Sequence, residues 1–156
     1  MSYLFIVSSY LIGSINFAYL VAKYKKLDIS SSGSGNPGTS NVMRTIGKKY
    51  AAFVLIGDVL KGFLPILLFS ENILICGFAA VIGHIYPIFY KFKGGKGVAT
   101  YIGVYIAFST LNPISYDLFE NSYFLFLNIP LLAAFYFVVF KISRISAIAS
   151  LLTVFI

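Results

Sequence analysis

Gly33, Gly35 and Gly38 stand at G-x-G-x-x-G spacing inside DISSSGSGNPGTSNVMR, residues 28–44. Gly94, Gly95, Lys96 and Gly97 form a second glycine run inside YKFKGGKGVATY, residues 90–101. Glycines let backbone N–H groups converge on an anion, and a helix N-terminus behind them adds donors and a partial positive charge. The first run therefore has the parts of a phosphate cradle. Ser34 offers a hydroxyl, Gly33 and Gly35 offer amides, and Arg44 offers a fork that can hold two phosphate oxygens. Thr39, Ser40 and Asn41 are good N-caps for a short helix that carries Arg44 and stops at Gly47. The alternative is a slack Gly/Ser linker, against which Asn36-Pro37-Gly38 reads as a defined turn. The second run is no Walker A loop, since Gly97 and not Ser or Thr follows Lys96. Its alternative is a basic loop with a hinge.

A second group of residues is unusual for its setting. Asp58 and Lys61, in GDVLKG, lie three residues apart in an apolar stretch, on one face of a helix. They read either as a mutual ion pair or as a wall of the active cavity. His84, in GHIYPIF, is the only histidine, and as a lone imidazole it suits helix packing better than general-base work. Gly13, Ser14 and Asn16 suit either close helix packing or a polar lining. Cys76 is the only cysteine and reads as core filler, so neither a disulfide within the chain nor a Cys-based metal site is expected.

The elements that must position these residues are membrane helices. Hydrophobic residues make up 59% of the 156 positions and charged residues 11%, beyond what a soluble core needs. Apolar stretches cover residues 3–22, 50–69, 72–90, 97–111 and 122–140. Most approach the ~20 residues that a helix needs to cross the bilayer core. A sixth, residues 145–156, gives only about 18 Å of helix, so a chain lacking its C-terminal part is expected. The first stretch lacks a basic n-region and has Lys23, Lys25 and Lys26 behind it, which reads as a retained helix and not a signal peptide.

With residue 1 outside, segments 23–49, 91–96 and 141–144 face the cytoplasm and hold every basic residue except Lys61. Glu71, Asp117 and Glu120 fall on the opposite side, so the positive-inside rule sets the orientation. The net charge of +7 is then a topology signal toward anionic lipid, with no need for nucleic acid. No parallel sheet can be built from such segments, which removes the dinucleotide reading of G-x-G-x-x-G. The fold class is an all-α, polytopic transmembrane helix bundle, and residues 1–156 form a single integral membrane domain.

GSINFAYLVAK, DISSSGSGNPGTSNVMR, GDVLKG and GHIYPIFYKFKGGKGVAT occur in that order and cover most of residues 10–105. Together they resemble the bacterial membrane glycerol-3-phosphate acyltransferases that use acyl phosphate as donor. The resemblance implies seven transmembrane helices in the bacterial inner membrane and an active site on the cytoplasmic side. It implies transfer of a fatty acyl group from acyl phosphate to the 1-hydroxyl of glycerol 3-phosphate, an early step of phospholipid synthesis. Acyl-CoA and acyl carrier protein would not be direct donors, and no cofactor or metal is implied. The partners would be the two substrates and membrane lipid, around a monomer.

Carried over by motif, Ser34, Arg44 and Lys96 would be catalytic. Gly33, Gly35, Asn36, Gly38 and Asn41 would bind substrate on the first loop. Gly94, Gly95, Gly97, Thr100 and His84 would do so around the second, with Asp58 and Lys61 as a cavity wall. The chain departs from the pattern at Ser30, where a basic residue is usual, and at Thr39-Ser40, where Ala-Thr is usual. The family's third motif, a C-terminal stretch with His and Asn, has no counterpart. A transporter or channel for a phosphorylated metabolite is the second class considered, because helix N-termini aimed at an anion also serve transporters. The two-half repeat usual in such proteins is not found.

Overall fold

The computed structural model describes residues 2–69 and 72–110. The stretches at 122–140 and 145–156, and Glu71, Asp117, Glu120, Lys141 and Arg144, lie outside the described residues. Six α-helices follow one another: α1 (Ser2–Gly13), α2 (Phe17–Tyr24), α3 (Thr39–Thr45), α4 (Lys48–Leu68), α5 (Ile73–Ile85) and α6 (Val98–Thr110), with a 3-10 turn at Ile88–Tyr90. Among the described residues three stretches are long and apolar enough to cross a membrane: Tyr3–Tyr24, Lys48–Leu68 and Ile73–Tyr90. Their outward faces carry exposed Leu, Ile, Val and Phe, such as Leu4, Phe53, Leu67 and Phe78, as a lipid-facing surface requires.

Two of these spans are not the continuous helices that hydropathy alone suggests. The first breaks between Gly13 and Phe17. Ser14 Oγ donates back to the Tyr10 carbonyl (2.8 Å), and Asn16 turns extended (φ −107°, ψ 105°) and restarts the helix. Its Oδ1 accepts from the Ala18 and Tyr19 amides at 3.0 and 3.2 Å, and Asn is among the strongest N-caps. The third span ends as α5 at Ile85, ahead of Pro87, which cannot continue the hydrogen-bond ladder.

Glycines set the packing. A Cβ on Gly13 would collide with the Ala80 backbone and one on Gly83 with the Tyr10 carbonyl, so α1 and α5 approach backbone to backbone. Gly62 meets the Thr100 carbonyl and Gly103 the Val59 carbonyl, which brings α4 and α6 equally close. Small residues supply contact where lipid leaves little hydrophobic drive between helices.

Candidate active site

The first loop, which leads from α2 into α3, is a built structure and not a tether. Ile29 and Val42 are buried in one cluster with Ala18, Val21, Ala22, Ala51 and Val54, clipping the loop onto α2 and α4. Asp28 starts the turn. Its Oδ1 accepts from the Ser30 amide (2.9 Å) and hydroxyl (2.6 Å), which holds its carboxyl below the usual range. The Ser31 and Ser32 hydroxyls donate to the Asp28 carbonyl at 3.2 and 2.7 Å. Gly33 and Gly35 take the left-handed conformation, with φ of 61° and 71°.

Asn41 holds this loop from beneath. It is buried, its Oδ1 accepts from the Ser34 amide (2.9 Å), and its Nδ2 donates to the Ser32 carbonyl (2.9 Å) and the Ile29 carbonyl (3.4 Å). Three expectations change in consequence. The polar atoms of Asn41 are engaged within the loop. The Gly35 and Gly38 amides are also spent there, donating to the carbonyls of Ser32 (3.0 Å) and Asn36 (2.9 Å). The cap of α3 is Gly38 itself, without a side-chain hydrogen bond, so Thr39, Ser40 and Asn41 are its first helical residues. Gly33 is not among these donors, and the side chains of Ser34 and Arg44 face outward. Asn36 is half-buried in the turn ahead of buried Pro37.

The second loop rests on the end of α5. The Gly95 amide donates to the His84 carbonyl (3.2 Å). A Cβ on Gly95 would strike the His84 ring at Nε2, and one on Gly94 the carbonyls of His84 and Ile85. Gly97 is left-handed (φ 80°) and its carbonyl accepts from the Tyr101 amide (2.8 Å), opening α6. Lys96 stands exposed between these glycines, and partial desolvation of its ammonium lowers its pKa below the ordinary lysine value. Thr100, in the first turn of α6, is fully buried and its Oγ1 has no hydrogen-bond partner among the described residues.

Asp58 and Lys61 lie beneath this loop as an ion pair, with Lys61 Nζ 2.9 Å from Asp58 Oδ1 and each residue 2% exposed. Lys61 also donates to the Ile15 carbonyl (2.6 Å), a group the break in the first span leaves without a helical partner. His84 Nδ1 lies 3.5 Å from Asp58 Oδ1. Asn16 extends the connection, its Nδ2 donating to the Pro37 carbonyl of the first loop at 3.4 Å. Tyr19 stacks on Tyr90 (4.6 Å, 8°), joining α2 to the chain entering the second loop. Asn16 was placed by sequence only in a packing or lining role. The signal for its capping role is a strong N-cap residue directly behind Gly13-Ser14 in mid-span. Among the described residues no group of His, Cys, Asp and Glu is placed to hold a metal.

The fold and this polar end define a multi-pass membrane protein with two glycine-rich loops. The glycerol-3-phosphate acyltransferase family matches residues 3–156, and the chain belongs to it. Glycerol-3-phosphate acyltransferases of Aquifex aeolicus and Photobacterium profundum are 46% and 50% identical, over 67% and 74% of this chain. The chain spans 58% and 57% of the length of those curated relatives. That of Pseudomonas paraeruginosa is 40% identical over 97% of this chain and 75% of its own. Among solved structures, PlsY (YgiH), an integral membrane glycerol 3-phosphate acyltransferase, is similar in two forms. Its glycerol 3-phosphate form has a TM-score of 0.76 and 36% identity, over 96% of this chain and 70% of that one. Its lysophosphatidic acid form has a TM-score of 0.63 and 34% identity, over 97% and 83%.

Proposed function

We propose that this chain carries the two phosphate-binding loops of an enzyme that transfers a fatty acyl group from acyl phosphate to the 1-hydroxyl of sn-glycerol 3-phosphate. The observation that carries the reading is the pairing of two glycine loops. One leads to Arg44, the other contains Lys96, and both are anchored over the same buried charges. That arrangement suits two phosphate-bearing reactants held side by side, and membership of the glycerol-3-phosphate acyltransferase family supports it over transport.

In this reading the hydroxyl oxygen attacks the acyl carbonyl carbon. The new C–O bond forms, the bond from that carbon to the phosphate oxygen breaks, and inorganic phosphate and lysophosphatidic acid result. A mixed anhydride already has a good leaving group, so a phosphate oxygen suffices to accept the hydroxyl proton, and no protein base is required. Lys96, Arg44 and the Ser34 hydroxyl stabilise charge developing on the acyl oxygen and departing phosphate. Gly33, Asn36 and the glycines around Lys96 let the phosphates approach the backbone. The site lies on the cytoplasmic side of the inner membrane with the N-terminus outside. Lys23, Lys25, Lys26, Arg44, Lys48, Lys49, Lys91, Lys93 and Lys96, all exposed around these loops, support that orientation.

The test uses the full-length protein in proteoliposomes with acyl phosphate and glycerol 3-phosphate. Lys96→Ala and Ser34→Ala are each expected to slow phosphate release by about 10²–10³-fold, as when one transition-state donor is removed. Near-normal turnover in both overturns the site. Efficient use of acyl-CoA in place of acyl phosphate overturns the donor.

A further inference from the structure

We infer that Asp58, Lys61 and His84 are positioning residues that hold the two glycine loops in register with each other. Charges in mid-span are costly, and an ion pair there is often no more stable than apolar residues of the same volume. This pair lies near two interruptions of helical backbone, one between α1 and α2 and one after α5, and Lys61 touches the first. Such backbone is tolerated only where protein or a water-lined space satisfies it. Lys61 satisfies one of them by donating to the Ile15 carbonyl (2.6 Å) at the break between α1 and α2. The next residue, Asn16, caps α2 and reaches the Pro37 carbonyl, so the position of Lys61 is passed to the first loop.

Asp58 lies between that side and the other, facing His84 Nδ1 without a hydrogen bond to it. Its Oδ1 is 2.9 Å from Lys61 Nζ and 3.5 Å from His84 Nδ1. The opposite edge of the His84 ring lies directly under Gly95, whose amide is bonded to the His84 carbonyl. Lys61, Asp58 and His84 thus form one line from the first loop's support to the second loop's floor. Each loop would bring its own phosphate-bearing reactant. The cluster therefore sets the distance between reactants more than the affinity for either one, and a misplacement of about 1 Å costs on the order of a hundredfold in rate.

The kinetic arm of the test rests on the acyltransferase reading; the distance arm does not. Spin labels at Ser31→Cys and Lys93→Cys, both exposed loop positions, report the separation of the loops in the full-length protein by pulsed electron resonance. Native protein is expected to give one narrow distance. The paired replacement Asp58→Leu with Lys61→Met removes both charges and leaves no lone buried ion, and it should fold yet give a broadened or displaced distance. Asp58→Asn, which preserves shape, serves as the second variant. In both, kcat is expected to fall by about a hundredfold, with the KM for each substrate within about threefold of native. Gly95→Ala should lose more activity beside native His84 than beside His84→Ala, which removes the ring that the new methyl would strike. An unmoved, narrow distance in the folded variants overturns the inference, whatever their activity. If native protein transfers no acyl group, the acyltransferase reading falls and the distance alone decides the cluster's role.

Discussion

In the first glycine loop the polar groups satisfy one another. Asp28, four serines and Asn41 close a network within residues 28–41, so the loop's shape is largely its own. In the second loop the support comes from outside, from the His84 carbonyl and ring at the end of α5. The first loop is rich in residues that hydrogen-bond their own backbone. The second has almost none and borrows a helix end. A self-closed loop fixes its shape but leaves few amides for a ligand, while a loop laid on a helix end takes its shape from the bundle.

The largest effect expected from breaking this contrast is at Asn41. Asn41→Leu leaves the Ser34 amide unpaired, at about 1–3 kcal/mol if it stays buried, and takes one of two donors from each of the Ser32 and Ile29 carbonyls, which keep the Gly35 and Ser32 amides. Limited proteolysis of proteoliposomes should then cut the first loop rapidly and spare the second. Equal protection of both would show that Asn41 does not hold the loop. Glycine substitutions come next. Gly33→Ala meets left-handed strain of about 1–2 kcal/mol together with a collision with Asn41 Oδ1. Gly97→Ala meets the same strain but only side-chain carbons of Ile85 and Val81 at 3.2 Å, which have room to shift. Thermal melting of the two variants should therefore rank Gly33→Ala as the more damaging.

The smallest effect separates the loops by their cations. Burial lowers the pKa of Lys96, so raising the pH removes its charge below the ordinary value of 10.5. Activity should fall along an alkaline limb that Lys96→Arg flattens, since a guanidinium stays charged. A limb unchanged in Lys96→Arg would assign it to another group.

The membrane class, three of the spans, both glycine loops and the Asp58–Lys61 pairing were legible from hydropathy, glycine spacing and the i,i+3 relation. The breaks in the first and third spans were not, because hydropathy averaged over a window passes over a single Asn16 or Pro87. The division of labour inside the first loop was equally hidden. Asn41 and Ser34 are both plausible phosphate ligands by type, and only their geometry spends Asn41 on the loop.

By itself the sequence determined three segments that are able to cross a membrane, where the basic residues cluster, and which residue types have the chemistry to meet a phosphate. Those properties follow from local composition and short spacing, which need no distant partner. Only the tertiary structure decided that Lys61 caps the Ile15 carbonyl, that His84 carries Gly95, and that one buried pair lies between the two loops. Lys61 and Ile15, His84 and Gly95, and Asp58 and His84 are 46, 11 and 26 positions apart in the chain. Close glycine packing draws α1 to α5 and α4 to α6, and no pattern along the chain encodes which faces then meet.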